Sequence, residues 1–398
     1  MKGVILTAKH HDGFCLWPTK TTDHNISKSL WRDGKGDIVR EFADAARRHG
    51  LKFGVYLSPW DRNNLNYGKP EYIQIFRQQL QELLTGYGEL FEIWHDGANG
   101  GDGFYGGARE RREIDKMTYY DWQTTWDLVR KLQPNAVIFS DAGPDVRWVG
   151  NENGIAGDPC WATINSEGMY PGREGINGQL NSGDRNGTVW RPAECDVSIR
   201  PGWFWHEKEN DHVKSPQQLK DLYFASVGRG ASLLLNAPPD IRGRIHENDA
   251  KSLREFGEWL KQTFAVNLAK GAKAKASNVR GNDERYAAVH MLDDDRFSYW
   301  ATDDDVTAAE LELDLNGEKT FNVVRLRENI KLGHRVDEFA VDIWRNNQWV
   351  EFGKGVGIGA QRLLRGQPVV TDKIRLRISK SAANPCISEV GLFAEPAN

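Results

Sequence analysis

At 398 residues, 39% of them hydrophobic and 27% charged, the chain is composed like a globular protein and is long enough for two or three domains. A net charge of −4 without a basic block argues against a nucleic-acid surface, and at a mean hydropathy of −0.62 no stretch approaches the roughly twenty apolar residues of a membrane-spanning helix. The four cysteines lie far apart with no C-x-x-C pair, which reads as free buried thiols and leaves no structural zinc site.

The chain opens on an apolar run, Gly3–Ala8, and five more follow: Lys52–Leu57, Leu90–Trp94, Ala136–Ser140, Glu194–Ile199 and Ser232–Asn236. Strands buried on both faces read as such runs rather than as alternation. Helical patterns separate them. Asp37 can cap a helix over Ile38–Arg48, and Pro70 stands in the first turn of one over Lys69–Thr85. Others cover Tyr119–Leu132, the stretch from Ser215-Pro216 to about Val227, and Asn248–Phe264. Strand–helix alternation of this kind predicts a parallel sheet, and the count favours a (β/α)8 barrel over residues 1–268. From 269 to 398 helical periodicity disappears. Ala309–Leu315, Asn322–Arg327, Phe339–Trp344 and Lys373–Ile378 alternate apolar with polar, the mark of half-buried antiparallel strands in a β-sandwich.

Parallel barrels carry their chemistry at the C-terminal ends of the strands. After the runs stand His10-His11-Asp12, Ser58-Pro59-Trp60, His95-Asp96, Asp141 with Val146–Glu152, and Arg200 with Trp203–His206. Carboxylates among them suit work on a glycosidic bond, histidines and arginine suit hydroxyl recognition, and tryptophans suit stacking on a sugar ring. From position alone Asp96 reads equally as a catalytic group or as the cap of a following turn. His10 and His11 are adjacent on a strand and point to opposite faces, which speaks against a shared metal ion. Gly97–Gly107 lacks the G-K-[ST] ending of a phosphate loop and reads as a flexible loop on the substrate side.

The runs Leu6–Phe14 with Leu16-Trp17-Pro18-Thr19, Phe53–Pro59, Glu92–Gly97, Leu233–Asn236 and Glu255–Leu260 together resemble the signature of the α-L-fucosidases of glycoside hydrolase family 29, over about residues 1–264. Gly143–Glu152 resembles the subgroup preferring α-1,3/1,4-linked fucose. The tail, through Leu292–Asp295 and Tyr299–Thr302, resembles a coagulation-factor 5/8 type C sandwich. The resemblance implies a retaining glycosidase in which Asp96 is the nucleophile and Glu152 the general acid/base, with Glu194 the alternative acid. It implies that His10 and His11 hold fucose hydroxyls, that Trp94 and Trp203 wall the pocket, and that Trp17, Tyr56 and Arg147 complete the substrate-binding set. The implied partner is a fucosylated glycan, with no cofactor and no metal at the catalytic centre. For the acidic loops Asp293–Asp295 and Asp303–Asp305, calcium binding competes with a solvated loop. The full-length form is expected to be periplasmic or secreted.

In one respect the chain departs from the family pattern. The family barrel begins with a strand ending in an Ile-His-Trp-Gly-like motif and then a helix, and the run at Gly3 corresponds to the family's second strand. A barrel incomplete at its N-terminus is therefore expected, with an open seam beside His10 or a partner copy covering it. The competing readings are a carbohydrate-binding protein without turnover and a glycosidase for a related sugar such as galactose.

Overall fold

The computed structural model describes residues Met1–Pro396, which form two compact units: Met1–Gly150 with Ser166–Leu180, and Asn151–Asn165 with Asn181 onward. In the first, five parallel strands follow one another in space as in the chain. β1 (Gly3–Lys9) pairs with β2 (Lys52–Leu57), and β2 with β3 (Glu92–Trp94). A short antiparallel hairpin of β4 (Gly101–Gly103) and β5 (Glu110–Arg112) leaves the rim after β3. β3 then pairs with β6 (Val137–Ser140), and β6 with β7 (Val146–Trp148).

Helices α1 (Ile38–Arg48), α2 (Pro70–Gly86) and α3 (Trp122–Leu132) connect the strands, close to the expected spans. Asp37 caps α1 by accepting the Arg40 N–H, and Val39, Ala43 and Ala46 form the buried stripe. On α2, Tyr72, Phe76, Leu80, Leu83 and Leu84 bury against the sheet. In sequence, β7 lies within the rim segment Val146–Glu152. It follows β6 after five residues with no helix between, and Asp145 holds the link by accepting the Ile138 N–H through its side chain.

β1 is an edge strand of its unit. Val4, Ile5 and Leu6 are half-buried and Thr7 is exposed, whereas β2 is buried from Phe53 to Leu57.

In the second unit Ala193–Ser198 and Ser232–Asn236 pair in parallel, at the expected positions. Helix Pro216–Ala225 opens with a capping box between Ser215 and Gln218, and helix Glu247–Thr263 follows the second strand. The remainder is the expected antiparallel β domain. Ala309–Glu328 and Arg362–Ser381 are each 20 residues long and pair with one another around two register shifts. Their irregular middle sections let one strand serve two parts of the sheet, since Val323–Glu328 also pairs with the strand Cys386–Phe393. Leu311, Leu313, Phe321, Ile374 and Leu376 fill the core between them.

This β domain is bonded to the helical part of its own unit. Val323, Leu363 and Phe393 pack against Tyr223, Phe224 and Phe264, the Arg325 guanidinium lies over Phe264 and Phe393, and the Leu268 N–H donates to the Leu392 carbonyl. Among the described residues no helix is long and apolar enough to cross a membrane.

Candidate active site

The strand register of the first unit lines up one ring from each of three neighbouring strands, and His10, just past β1, extends the row. Tyr56 on β2 is level with Trp94 on β3, and Trp94 with Phe139 on β6. Phe139 stacks on Trp94 at 4.1 Å, Trp94 on Tyr56 at 5.0 Å, and Tyr56 on His10 at 5.8 Å. The ladder ends at the histidine pair, whose rings lie 4.0 Å apart, and His11 leans on Trp60 at 5.1 Å.

Asp96 follows this layer at the C-terminal end of β3 and is half-buried. Its Oδ2 accepts the Tyr56 hydroxyl at 2.9 Å and lies 4.0 Å from His11 Nε2, and its Oδ1 accepts the Ala98 N–H at 2.6 Å. The turn after β3 is therefore capped by this side chain, while the carboxylate also sits among the rings. His11 is fixed from its other nitrogen, with Nδ1 at 2.7 Å from Ser58 Oγ.

Burial keeps both imidazoles below their usual pKa range, against the opposing pull of Asp96, and brings His11 to about 4. At neutral pH each ring is uncharged and offers one donor and one acceptor, a chemistry matched to hydroxyl groups. Burial, then the charge of Asp96, holds the Tyr56 phenol well above its usual range, so it stays a donor to the carboxylate.

A second carboxyl stands close by. Asp141, just past β6, accepts the Gly172 N–H at 2.9 Å and packs so closely on Gly97 that a Cβ there would overlap its carboxyl group. Burial and then the charge of Asp96 raise it to about 6. Sequence reasoning named Ser58, Trp60 and Asp141 only as parts of rim segments. Their position after strand runs was the available signal, but their contacts depend on register.

Behind the histidine pair, Lys9 is fully buried, with Nζ 2.8 Å from Gln79 Oε1, 3.1 Å from the Tyr72 hydroxyl and 3.4 Å from Asp61 Oδ2. Asp61 in turn accepts the N–H groups of Asn63 and Asn64, and so ties the loop after β2 to the end of β1.

In the second unit Glu152 is exposed, and its Oε2 accepts the Trp203 indole N–H at 3.1 Å. Asn153 bridges Val197. The Trp203 loop is held at the C-terminal end of the parallel pair, where Asn236 Nδ2 donates to the Trp203 carbonyl at 3.0 Å and Ser198 Oγ donates to that of Gly202 at 2.7 Å.

His10, His11, Tyr56, Trp94 and Asp96 are thus brought together in one unit, and Glu152 with Trp203 in the other. Trp17 is buried, with its indole on Glu82 of α2 at 2.8 Å; Arg147 is fully buried, with Nε on the Leu180 carbonyl at 2.8 Å. Glu194 lies at the N-terminal end of its strand and accepts the Ser232 hydroxyl at 3.0 Å. Among the described residues no group of three or more His, Cys, Asp or Glu side chains is placed to hold a metal ion. Asp293 accepts the Ser298 hydroxyl, and Asp304 pairs with Arg280.

The family model for α-L-fucosidase matches residues 1–264. Alpha-L-fucosidase 1 of Arabidopsis thaliana is 43% identical over 397 residues, covering 98% of this chain and 76% of that protein. A Ruminococcus gnavus GH29 fucosidase solved in complex with fucose superposes with a TM-score of 0.88 at 32% identity, covering 100% of this chain and 83% of that one. A glycoside hydrolase 29 family member from an unknown rumen bacterium gives 0.86 at 41% identity, covering 100% of this chain and 67% of that one.

Proposed function

The chain belongs to the α-L-fucosidase family, glycoside hydrolase family 29, and from that premise we propose that it hydrolyses terminal α-1,3- or α-1,4-linked L-fucose from glycans with retention of configuration. The observation that carries the reading is the setting of Asp96: a half-buried carboxylate at a strand end, oriented by Tyr56 and the Ala98 N–H, beside two neutral imidazoles.

Asp96 attacks the anomeric carbon and the glycosidic C–O bond breaks. Glu152 gives its proton to the departing oxygen, and the product is a fucosyl ester on Asp96. Glu152 then takes a proton from water as the water attacks the same carbon, which releases fucose and restores both carboxyl groups. His10 and His11 hold the fucose hydroxyls, and the Tyr56–Trp94 stack walls the sugar.

The test is a pair of variants assayed on an aryl fucoside and on a fucosylated oligosaccharide. Asp96→Ala should lose several orders of magnitude on both, on the order of 10⁴-fold or more. Glu152→Ala should hurt the oligosaccharide far more than the aryl fucoside, whose leaving group needs little protonation. Azide should restore turnover to either variant, and NMR should show α-fucose as the first product. Equal losses for Glu152→Ala on both substrates, or β-fucose as first product, would overturn the assignment.

A further inference from the structure

Glu152 stands on a stretch without helix or strand, so its reach depends on what holds the turn around it. The Asn151 side chain closes that turn. Its Oδ1 accepts the Asn153 N–H at 3.0 Å, and its Nδ2 donates to the Ile155 carbonyl at 2.8 Å. Gly154 lies so close to the strand Ala193–Ser198 that a Cβ there would come within 2.8 Å of the Val197 side chain. The Ala156 N–H donates to the carbonyl of Ala225, the last residue of helix Pro216–Ala225, at 3.0 Å, and the Ala156 carbonyl accepts Arg229 Nη1 at 2.6 Å.

The next fixed point comes from the β domain. Arg362, the first residue of the strand Arg362–Ser381, donates from Nη2 to Asp158 Oδ1 at 2.7 Å. Asp158 Oδ2 lies 3.7 Å from Arg229 Nε, so one carboxylate joins the guanidinium that holds Ala156 to one from the β domain. The neighbouring Gln361 donates from Nε2 to the Val227 carbonyl at 3.2 Å, and its Oε1 accepts Arg327 Nη2 at 2.6 Å. It thereby fixes the short turn Val227–Arg229 on which Arg229 stands. Two consecutive β-domain residues thus secure the Glu152 stretch, one through Asp158 and one through Arg229. Asp158 is partly exposed, so the pair contributes little to stability, but the Arg362 side chain is only 8% exposed and holds a defined position. What such a contact supplies is placement, through a charge-assisted hydrogen bond of fixed geometry.

We propose that Arg362, acting through Asp158, is a positioning residue for the acid/base Glu152, so that the β domain governs proton transfer to the departing oxygen. The assignment rests on the role proposed for Glu152. A displacement of about 1 Å at a reacting group costs about 100-fold in rate. Loosening the Glu152 stretch therefore slows the step that needs its proton and spares substrates whose leaving group departs without one.

The experiment compares kcat/KM on dinitrophenyl fucoside, a good leaving group, and phenyl fucoside, a poor one. The full chain is used as the parent and as Arg362→Met, Asp158→Ala, the double variant and Glu152→Ala, with melting temperatures to verify folding. Arg362→Met should lose about tenfold on phenyl fucoside and less than about twofold on dinitrophenyl fucoside, a part of the roughly 10²–10⁴-fold that a placed acid contributes. Asp158→Ala should discriminate in the same direction, and it carries the test should Arg362→Met fail to fold. The double variant should be no worse than Asp158→Ala alone, because both changes remove one contact. Equal losses on the two substrates, unchanged kinetics, or losses that multiply in the double variant overturn the assignment alone, provided Glu152→Ala discriminates between the substrates. A parent inactive on both fucosides, or a Glu152→Ala protein equally impaired on both, overturns the reading of Glu152 and this assignment with it.

Discussion

Gly97 immediately follows the proposed nucleophile, and replacing it by alanine is a sharp test of how tightly the Asp96 turn is held. Gly97 has no left-handed backbone angle, so the substitution acts through sterics alone. A Cβ at this position would overlap the carboxyl group of Asp141, reaching both oxygens and Cγ. Ordinary contact for such an atom starts near 3.4 Å, so the turn and the carboxyl must separate by on the order of 1 Å or more. Overpacking of this kind costs about 1–3 kcal/mol in stability, and a displacement of about 1 Å at a reacting group costs about 100-fold in rate. Gly97→Ala should therefore lower kcat on a chromogenic fucoside by about 100-fold and lower the melting temperature. The double variant Gly97→Ala/Asp141→Ala makes room for the methyl and should recover about tenfold of kcat relative to the single variant. A Gly97→Ala protein within threefold of the parent, or a double variant no better than the single one, would refute the reasoning.

Asp141 also makes a pH prediction. Its carboxyl is raised to about 6, so between about pH 4 and about pH 6 the folded chain keeps a proton that the unfolded chain has released. Stability contributed by this group is present below that window and is lost as pH rises through it. Asp141→Asn cannot ionise but still offers an acceptor to the Gly172 N–H, so its melting temperature should exceed the parent's above pH 6 and match it below pH 4. A difference that does not vary with pH would rule this out. Lys9→Met should leave the Asp61 carboxylate buried without its cation and cost about 3–5 kcal/mol in urea unfolding. Lys9→Met/Asp61→Asn should recover part of that loss, and a loss below about 1 kcal/mol in the single variant would show that the ion pair is dispensable.

What the sequence revealed depended on how far a pattern runs. The Lys52–Leu57 strand was legible to the residue because a continuous apolar run leaves no other reading for its length. β7 was not: three residues joined to β6 without a helix carry no period. In the β domain alternation showed that residues 309–315 and 322–327 are strands, but not that they form one 20-residue strand, because the irregular middle section breaks the alternation. At the site, motif proximity and spatial proximity separate. His10, His11 and Asp96 share motifs and also meet. Trp17 shares a motif with the histidines yet bonds Glu82 inside the fold, since the chain turns inward after Phe14. The nearness of Asp141 to Gly97 follows from the pairing of β3 with β6, and no single segment encodes it.

The aromatic seam between the β domain and the helices of its own unit bears on how this architecture can be inherited. Tyr223, Phe224 and Phe264 on one side and Val323, Leu363 and Phe393 on the other form a shared core, with the Arg325 guanidinium lying over Phe264 and Phe393. Each side removes the other's apolar surface from water, so neither is a free-standing module that recombination could exchange alone. A tail grafted from another protein would have to bring matching residues at all of those positions, or the helices would be left with an exposed, aggregation-prone face. Residues on the two sides are expected to change in step across related chains, as the two halves of a single core do.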